Sequence, residues 1–154
     1  MGLRKSKVTY FDNHFSATVS NYSFKKKGSN WSEPSLLQLF EIGVVNTDSV
    51  SLGFNDSNAL ILSYEVNGQK FENVFNGKFA DKGYYEIYFR NKRKEIPPVI
   101  HIIYSSNHIN RVRLALTKEG DLLVDNMWDD SGNIFIIGAG DSGRRLSYFE
   151  CKSR

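Results

Sequence analysis

Gly, Asn and Asp recur at short intervals along this sequence, and the segments between them are strand-length and alternate apolar with polar residues. Gly and Asn adopt left-handed backbone at little cost, and Asn and Asp side chains bond their own turns, so such punctuation marks reversals of direction. Alternation with a period of two marks a strand with one buried face. Asn67-Gly68 is the strongest two-residue hairpin signal of the set. Asn55-Asp56-Ser57-Asn58, Asp81-Lys82-Gly83, Lys118-Glu119-Gly120-Asp121 and Asp129-Asp130-Ser131-Gly132-Asn133 mark further turns.

Between these marks the pattern predicts strands over 15–24, 50–54, 59–66, 84–90, 99–105, 109–117, 122–128, 134–139 and 146–152. Phe71, Phe75 and Phe79 share a face in another. Residues 25–30 and the Pro97-Pro98 stretch, 91–98, read as basic loops, since consecutive prolines are barred from a sheet interior. A helix is expected over 34–42: Ser32 caps it, Pro34 stands where a missing N–H costs nothing, and Gly43 ends it. Its stripe of Leu36, Leu37, Leu39 and Phe40 must cover an apolar surface.

Strands joined by tight turns pair antiparallel with their sequence neighbours, and a long meander leaves two open edges unless it closes on itself. The fold expected is therefore all-β: an antiparallel up-and-down meander β-barrel of about 8–10 strands, with one short helix after the first strand. A two-sheet sandwich is the second choice. The 154 residues make one domain, with 1–12 as a flexible N-terminal segment. Rings supply the core, as 11 Phe, 8 Tyr and 2 Trp bury much area per residue. One cysteine, Cys151, permits neither an internal disulfide nor a cysteine-based zinc site.

No catalytic constellation emerges. Gly138-Ala139-Gly140-Asp141-Ser142-Gly143 fits G-x-G-x-x-G, but a dinucleotide fingerprint needs a following helix, and the remaining chain reads as a strand. A glycine-rich bend between the last two strands is the expectation. Gly140-Asp141-Ser142-Gly143 also resembles a serine-protease nucleophile motif, yet His14, His101 and His108 lie in no matching context. The histidines lack ligand spacing, and Asp125, Asp129 and Asp130 fit no EF-hand loop, so neither a metal nor a cofactor is expected.

Basic residues at 25–27, 90–94, 111–113 and 144–145, near Tyr84 and Tyr88, have the ingredients of a single-strand nucleic-acid face. Acidic residues are almost as numerous, 17 against 20 Lys and Arg, and ten strands exceed an OB barrel, so nucleic acid is not the expected partner. The interior aromatics are more informative. Alternation turns Tyr64, Phe71, Phe75, Tyr85, Phe89, Tyr104, Trp128 and Tyr148 inward. A barrel of eight to ten strands is wide enough for one small ligand, and interior Tyr and Trp polar groups then need partners.

The strand–helix–meander plan resembles the calycin group, lipocalins and fatty-acid-binding proteins. Gly77-Lys78-Phe79, Tyr85-Glu86-Ile87-Tyr88, Ile96-Pro97-Pro98 and Asp121-Leu122-Leu123-Val124-Asp125 are also similar in style to lipocalin-like envelope proteins of Gram-negative bacteria. The resemblance implies export to the cell envelope or periplasm, with the signal segment removed and a lipidated N-terminus as membrane tether. A cytoplasmic location is the alternative.

The expected function is non-enzymatic binding of a small, mostly hydrophobic molecule in the barrel interior. Tyr64, Phe75, Tyr85, Phe89, Tyr104 and Trp128 would line the site, Arg145 would meet an acidic ligand group, and the helix would shut one end. The rival is a protein-interaction module with a packed core, working through its outer surface and basic loops.

Overall fold

The computed structural model describes residues 8–9, 12–27, 33–96, 104–134 and 137–154. Ser32, Trp31, the Pro97-Pro98 segment and His101 lie outside the described residues. The elements in order are β1 (Val8–Thr9), β2 (Ala17–Ser20), β3 (Lys25–Lys27), α1 (Leu36–Leu39), β4 (Ser49–Phe54), β5 (Leu60–Val66), β6 (Gln69–Phe75) and β7 (Lys78–Ala80). The long strands β8 (Tyr84–Ile96), β9 (Tyr104–Thr117), β10 (Leu122–Ile134) and β11 (Ile137–Phe149) follow, and β12 (Cys151–Ser153) comes last.

The chain is mostly β, as expected, but the strands form two antiparallel sheets and no closed barrel is found among the described residues. Sheet A runs β3-β11-β10-β9-β8-β7, with β1 also paired to β9; sheet B runs β12-β2-β4-β5-β6. The two share chain at both sides. Glu150 alone separates β11 from β12, and its carbonyl accepts from Ser20 N–H at 2.8 Å, while Phe24 N–H donates to Tyr148 O at 3.0 Å. At the opposite side Asn76-Gly77 links β6 to β7; a Cβ on Gly77 would meet the Glu86 carbonyl and the side chains of Tyr85 and Ile87.

Turn chemistry is where sequence and structure agree most closely. Asn67 and Gly68, at φ 51° and 79°, connect Val66 to its register partner Gln69, the positive-φ pair of a tight hairpin. Asn55 Oδ1 accepts from Ser57 and Ala59 N–H, and Asn58 takes φ 59°.

The expected boundaries fail in the long strands. Residues 91–96, read as a basic loop, continue β8 and pair with Tyr104–Ile109 of β9. Asp129–Asn133, read as a turn, and Gly138–Gly143, read as a bend, face one another across one ladder, with Asp130 opposite Asp141 and Trp128 opposite Gly143. Turn-prone composition is a local preference, and cross-strand pairing overrides it.

The helix follows three strands and is one turn, shorter than the expected 34–42. Ser35, not Ser32, is the N-cap: its hydroxyl accepts from Gln38 N–H while the Gln38 side chain accepts from Ser35 N–H. The turn closes early because Glu41 adopts φ 59°, with Glu41 N–H donating to Gln38 O and Ile42 N–H to Leu37 O. That is a Schellman ending with glutamate in the position that usually holds glycine.

One core joins both sheets and the helix: Val19, Val50, Leu52, Leu60 and Leu62 from sheet B, Leu36, Leu37 and Phe40 around the helix, and Tyr85, Val112, Leu114, Leu122, Val124 and Phe149 from sheet A. Asn21, fully buried, fixes the helix to this core. Its carbonyl accepts from Leu36 N–H, its side-chain oxygen from Leu37 N–H, its amide donates to Thr47 O and its own N–H to Asp48 O.

Two predictions follow from these buried polar groups. Asn21→Ala leaves Leu37 N–H buried and Thr47 O half-buried without these partners and is expected to cost about 2–4 kcal/mol, read by urea denaturation. Tyr85, fully buried, donates its hydroxyl to Asn58 O at 2.7 Å, and burial pushes its phenol above the ordinary 10.0. A proton held more tightly in the folded chain means full stability below pH 10.0 and loss as the pH rises toward the folded value. In Tyr85→Phe this contribution to the alkaline slope, about 1.4 kcal/mol per pH unit at most, should vanish.

Candidate functional site

Register separates the two faces of sheet A. The core holds Leu116, Leu114 and Val112 of β9, Leu122 and Val124 of β10, and Phe149 of β11, so every second residue beyond them shares that inner face. Moving along the strands, the inner rows are Leu116–Leu122–Phe149, Leu114–Val124–Ser147, Val112–Asn126–Arg145 and Asn110–Trp128–Gly143. The inner face thus changes from wholly apolar to polar within four rows.

The polar rows are ordered by hydrogen bonds that include the flanks of the helix. Asn126 donates to Asn110 Oδ1 at 3.0 Å, and Asn110 donates to Glu41 Oε1 at 2.6 Å. Ser147, fully buried, donates to Glu33 Oε2 at 3.1 Å, an oxygen that also accepts from Ser23. Two carboxylates, one on each side of α1, therefore hold the helical turn over the inner face. Glu41 occupies its left-handed conformation at a cost that glycine would avoid, and its contact with Asn110 is what glycine could not supply.

The seven residues expected to line a ligand site fall in several places. Phe75 and Phe89 meet Phe40 of the helix ending, with ring centroids 5.1 Å (Phe40–Phe75), 6.0 Å (Phe40–Phe89) and 5.8 Å (Phe75–Phe89) apart, all edge to face. Tyr85 belongs to a second group with Phe54 and Phe79, at 4.9 and 4.8 Å. Its hydroxyl already has a protein partner. Tyr64 stacks on Phe71 across the β5–β6 hairpin at 5.6 Å, and Phe71 is 39% exposed. The Tyr104 side chain lies outside the described residues. Tyr148, expected inside, pairs with Leu123 and so takes the opposite face.

Trp128 and Arg145 do come together. The Arg145 guanidinium carbon stands 5.5 Å from the indole centroid, a cation–π contact. The ring covers Gly143, where a Cβ would collide with it. Among the described residues no carboxylate pairs with Arg145. Alternation turned Trp128 inward, but by turning Tyr148 inward as well it put Arg145, three residues earlier, on the wrong face. It missed Phe40, Glu41, Asn110 and Asn126 as neighbours, because their meeting depends on where the helix lands.

The buried carboxylate of Asp125 and the thiol are accounted for by the fold. Asp125, fully buried on the opposite face, accepts two bonds from Arg144, at 2.6 and 2.7 Å, and that pairing raises the Arg144 pKa further. Burial pushes the Cys151 thiol up, away from nucleophilic character. The described residues contain no group of three acidic, His or Cys side chains able to hold a metal.

Gly143→Ala is expected to displace the Trp128 ring, cost about 1–3 kcal/mol, and shift indole emission in a Trp31→Phe background. Compared with known families, curated proteins and solved structures, the chain matches none.

Proposed function

We propose that this chain is a non-enzymatic binding protein that takes up a small, mostly apolar molecule between the inner faces of its sheets. The observation that carries this reading is the inner face of sheet A, where an apolar surface gives way to Trp128 and an Arg145 without a carboxylate partner among the described residues. Sites for small molecules combine apolar walls with a few convergent polar groups. Phe40, Phe75 and Phe89 supply one wall, and the Asn110–Asn126 pair supplies fixed polar atoms beside it.

The barrel reading belongs to the same proposal. The chain passes between the sheets at Glu150 and at Asn76-Gly77, and these two crossings support the reading of a lipocalin-like wall curled around the binding space. On this reading the protein is a lipocalin-like component of the cell envelope, and the helical turn closes one end of the binding space.

Titration with a panel of lipids and aromatic small molecules, followed by tryptophan fluorescence, tests the proposal. Saturable quenching is expected, surviving Trp31→Phe and disappearing in Trp128→Phe. Flat titrations across the panel would overturn it and favour an interaction module with a packed interior.

A further inference from the structure

On the face of sheet A opposite the core, Met127 is the centre of a cross of charged residues. Its register partners are Arg111 on β9 and Arg144 on β11, and Asp125 and Asp129 flank it along β10 on the same face. One diagonal is closed. Arg144 turns its Nε–Nη2 edge to Asp125 and donates to both carboxylate oxygens, at 2.6 and 2.7 Å. The nearby Glu86 is closed as well, accepting from Arg113 Nε at 2.5 Å, with the Arg113 guanidinium 4.7 Å from the centroid of the Tyr84 ring.

The other diagonal is open. Arg111 meets only a thioether: Nη2 donates to Met127 Sδ at 3.4 Å, and Nε is buried without an acceptor among the described residues. Sulfur is a weak acceptor, so this guanidinium lacks the carboxylate that Arg144 has. Asp129, half-buried, makes no ion pair or hydrogen bond among the described residues. A cation without its anion and an anion without its cation thus stand on one face, separated by a flexible apolar side chain. Tyr88, the register partner of Arg111, is 40% exposed beside them.

We propose that this cross is a second binding site, for a zwitterionic α-amino acid with a flat apolar side chain. The ligand carboxylate takes the Nε–Nη2 edge of Arg111, replacing Met127 Sδ, as Asp125 does on Arg144. The ligand ammonium meets Asp129, and the side chain rests on Met127 and Tyr88. Met127 swings aside readily, having three rotatable bonds and no branch. No bond is made or broken, and the site is independent of the inner face.

Calorimetric titration of the whole chain with L-phenylalanine, phenylacetate and phenethylamine tests the assignment. Phenylalanine should bind saturably and about ten-fold or more tighter than either fragment. Arg111→Gln should abolish its advantage over phenethylamine, and Asp129→Asn its advantage over phenylacetate. Lys70→Gln, an exposed charge on sheet B, should change neither. Arg111→Lys keeps the charge without the fork and should fall between wild type and Arg111→Gln, with unchanged circular dichroism showing that the variants fold. The proposal is overturned by absent saturation with phenylalanine, by a fragment binding as tightly as the zwitterion, or by folded Arg111→Gln and Asp129→Asn variants with undiminished affinity.

Discussion

The arrangement depends first on one buried amide. Asn21 stands where β2 ends, and through its side chain and backbone it engages the start of α1 and the Thr47-Asp48 segment that leads into β4. A single helical turn has no independent stability, because nucleation fixes several residues for one hydrogen bond. It persists here because Asn21 satisfies its first two N–H groups and because Leu36, Leu37, Leu39 and Phe40 are all buried. The position of Phe40, and hence its ring cluster with Phe75 and Phe89, is set by that anchor.

Both flanks of the same turn carry glutamates that end on sheet A, Glu33 at Ser147 and Glu41 at Asn110. The helix is therefore held from below by apolar contact and from both sides by polar contact. A backbone strained at Glu41 is tolerated within this grip. Structure and candidate site are coupled at this point, since the residue that stops the helix also orders the polar inner rows.

Much of the fold was legible because its signals are local. Asn67-Gly68 specifies a hairpin through two positive-φ residues, and the strands on either side alternate cleanly. The full length of the long strands is hidden from local pattern because Asp129–Asn133 and Gly138–Gly143 each look like turns alone. They are the two sides of one ladder, and only their mutual pairing reveals it. The same distinction governs the site. Trp128 could be placed inward by counting along its strand, whereas Glu41 and Asn110 are 69 positions apart and meet only through tertiary packing. The opposite-face cross was illegible for the same reason, because the Arg144–Asp125 and Arg111–Met127 pairings require the register of three strands.

The passage of the chain through Glu150 from one sheet directly into the other has a mechanical meaning. With β2–β3 running beside β11–β12, neither layer can peel away without unzipping the neighbouring ladder. The two layers should consequently melt as a single cooperative unit, and slow amide exchange should extend across the seam instead of stopping at it.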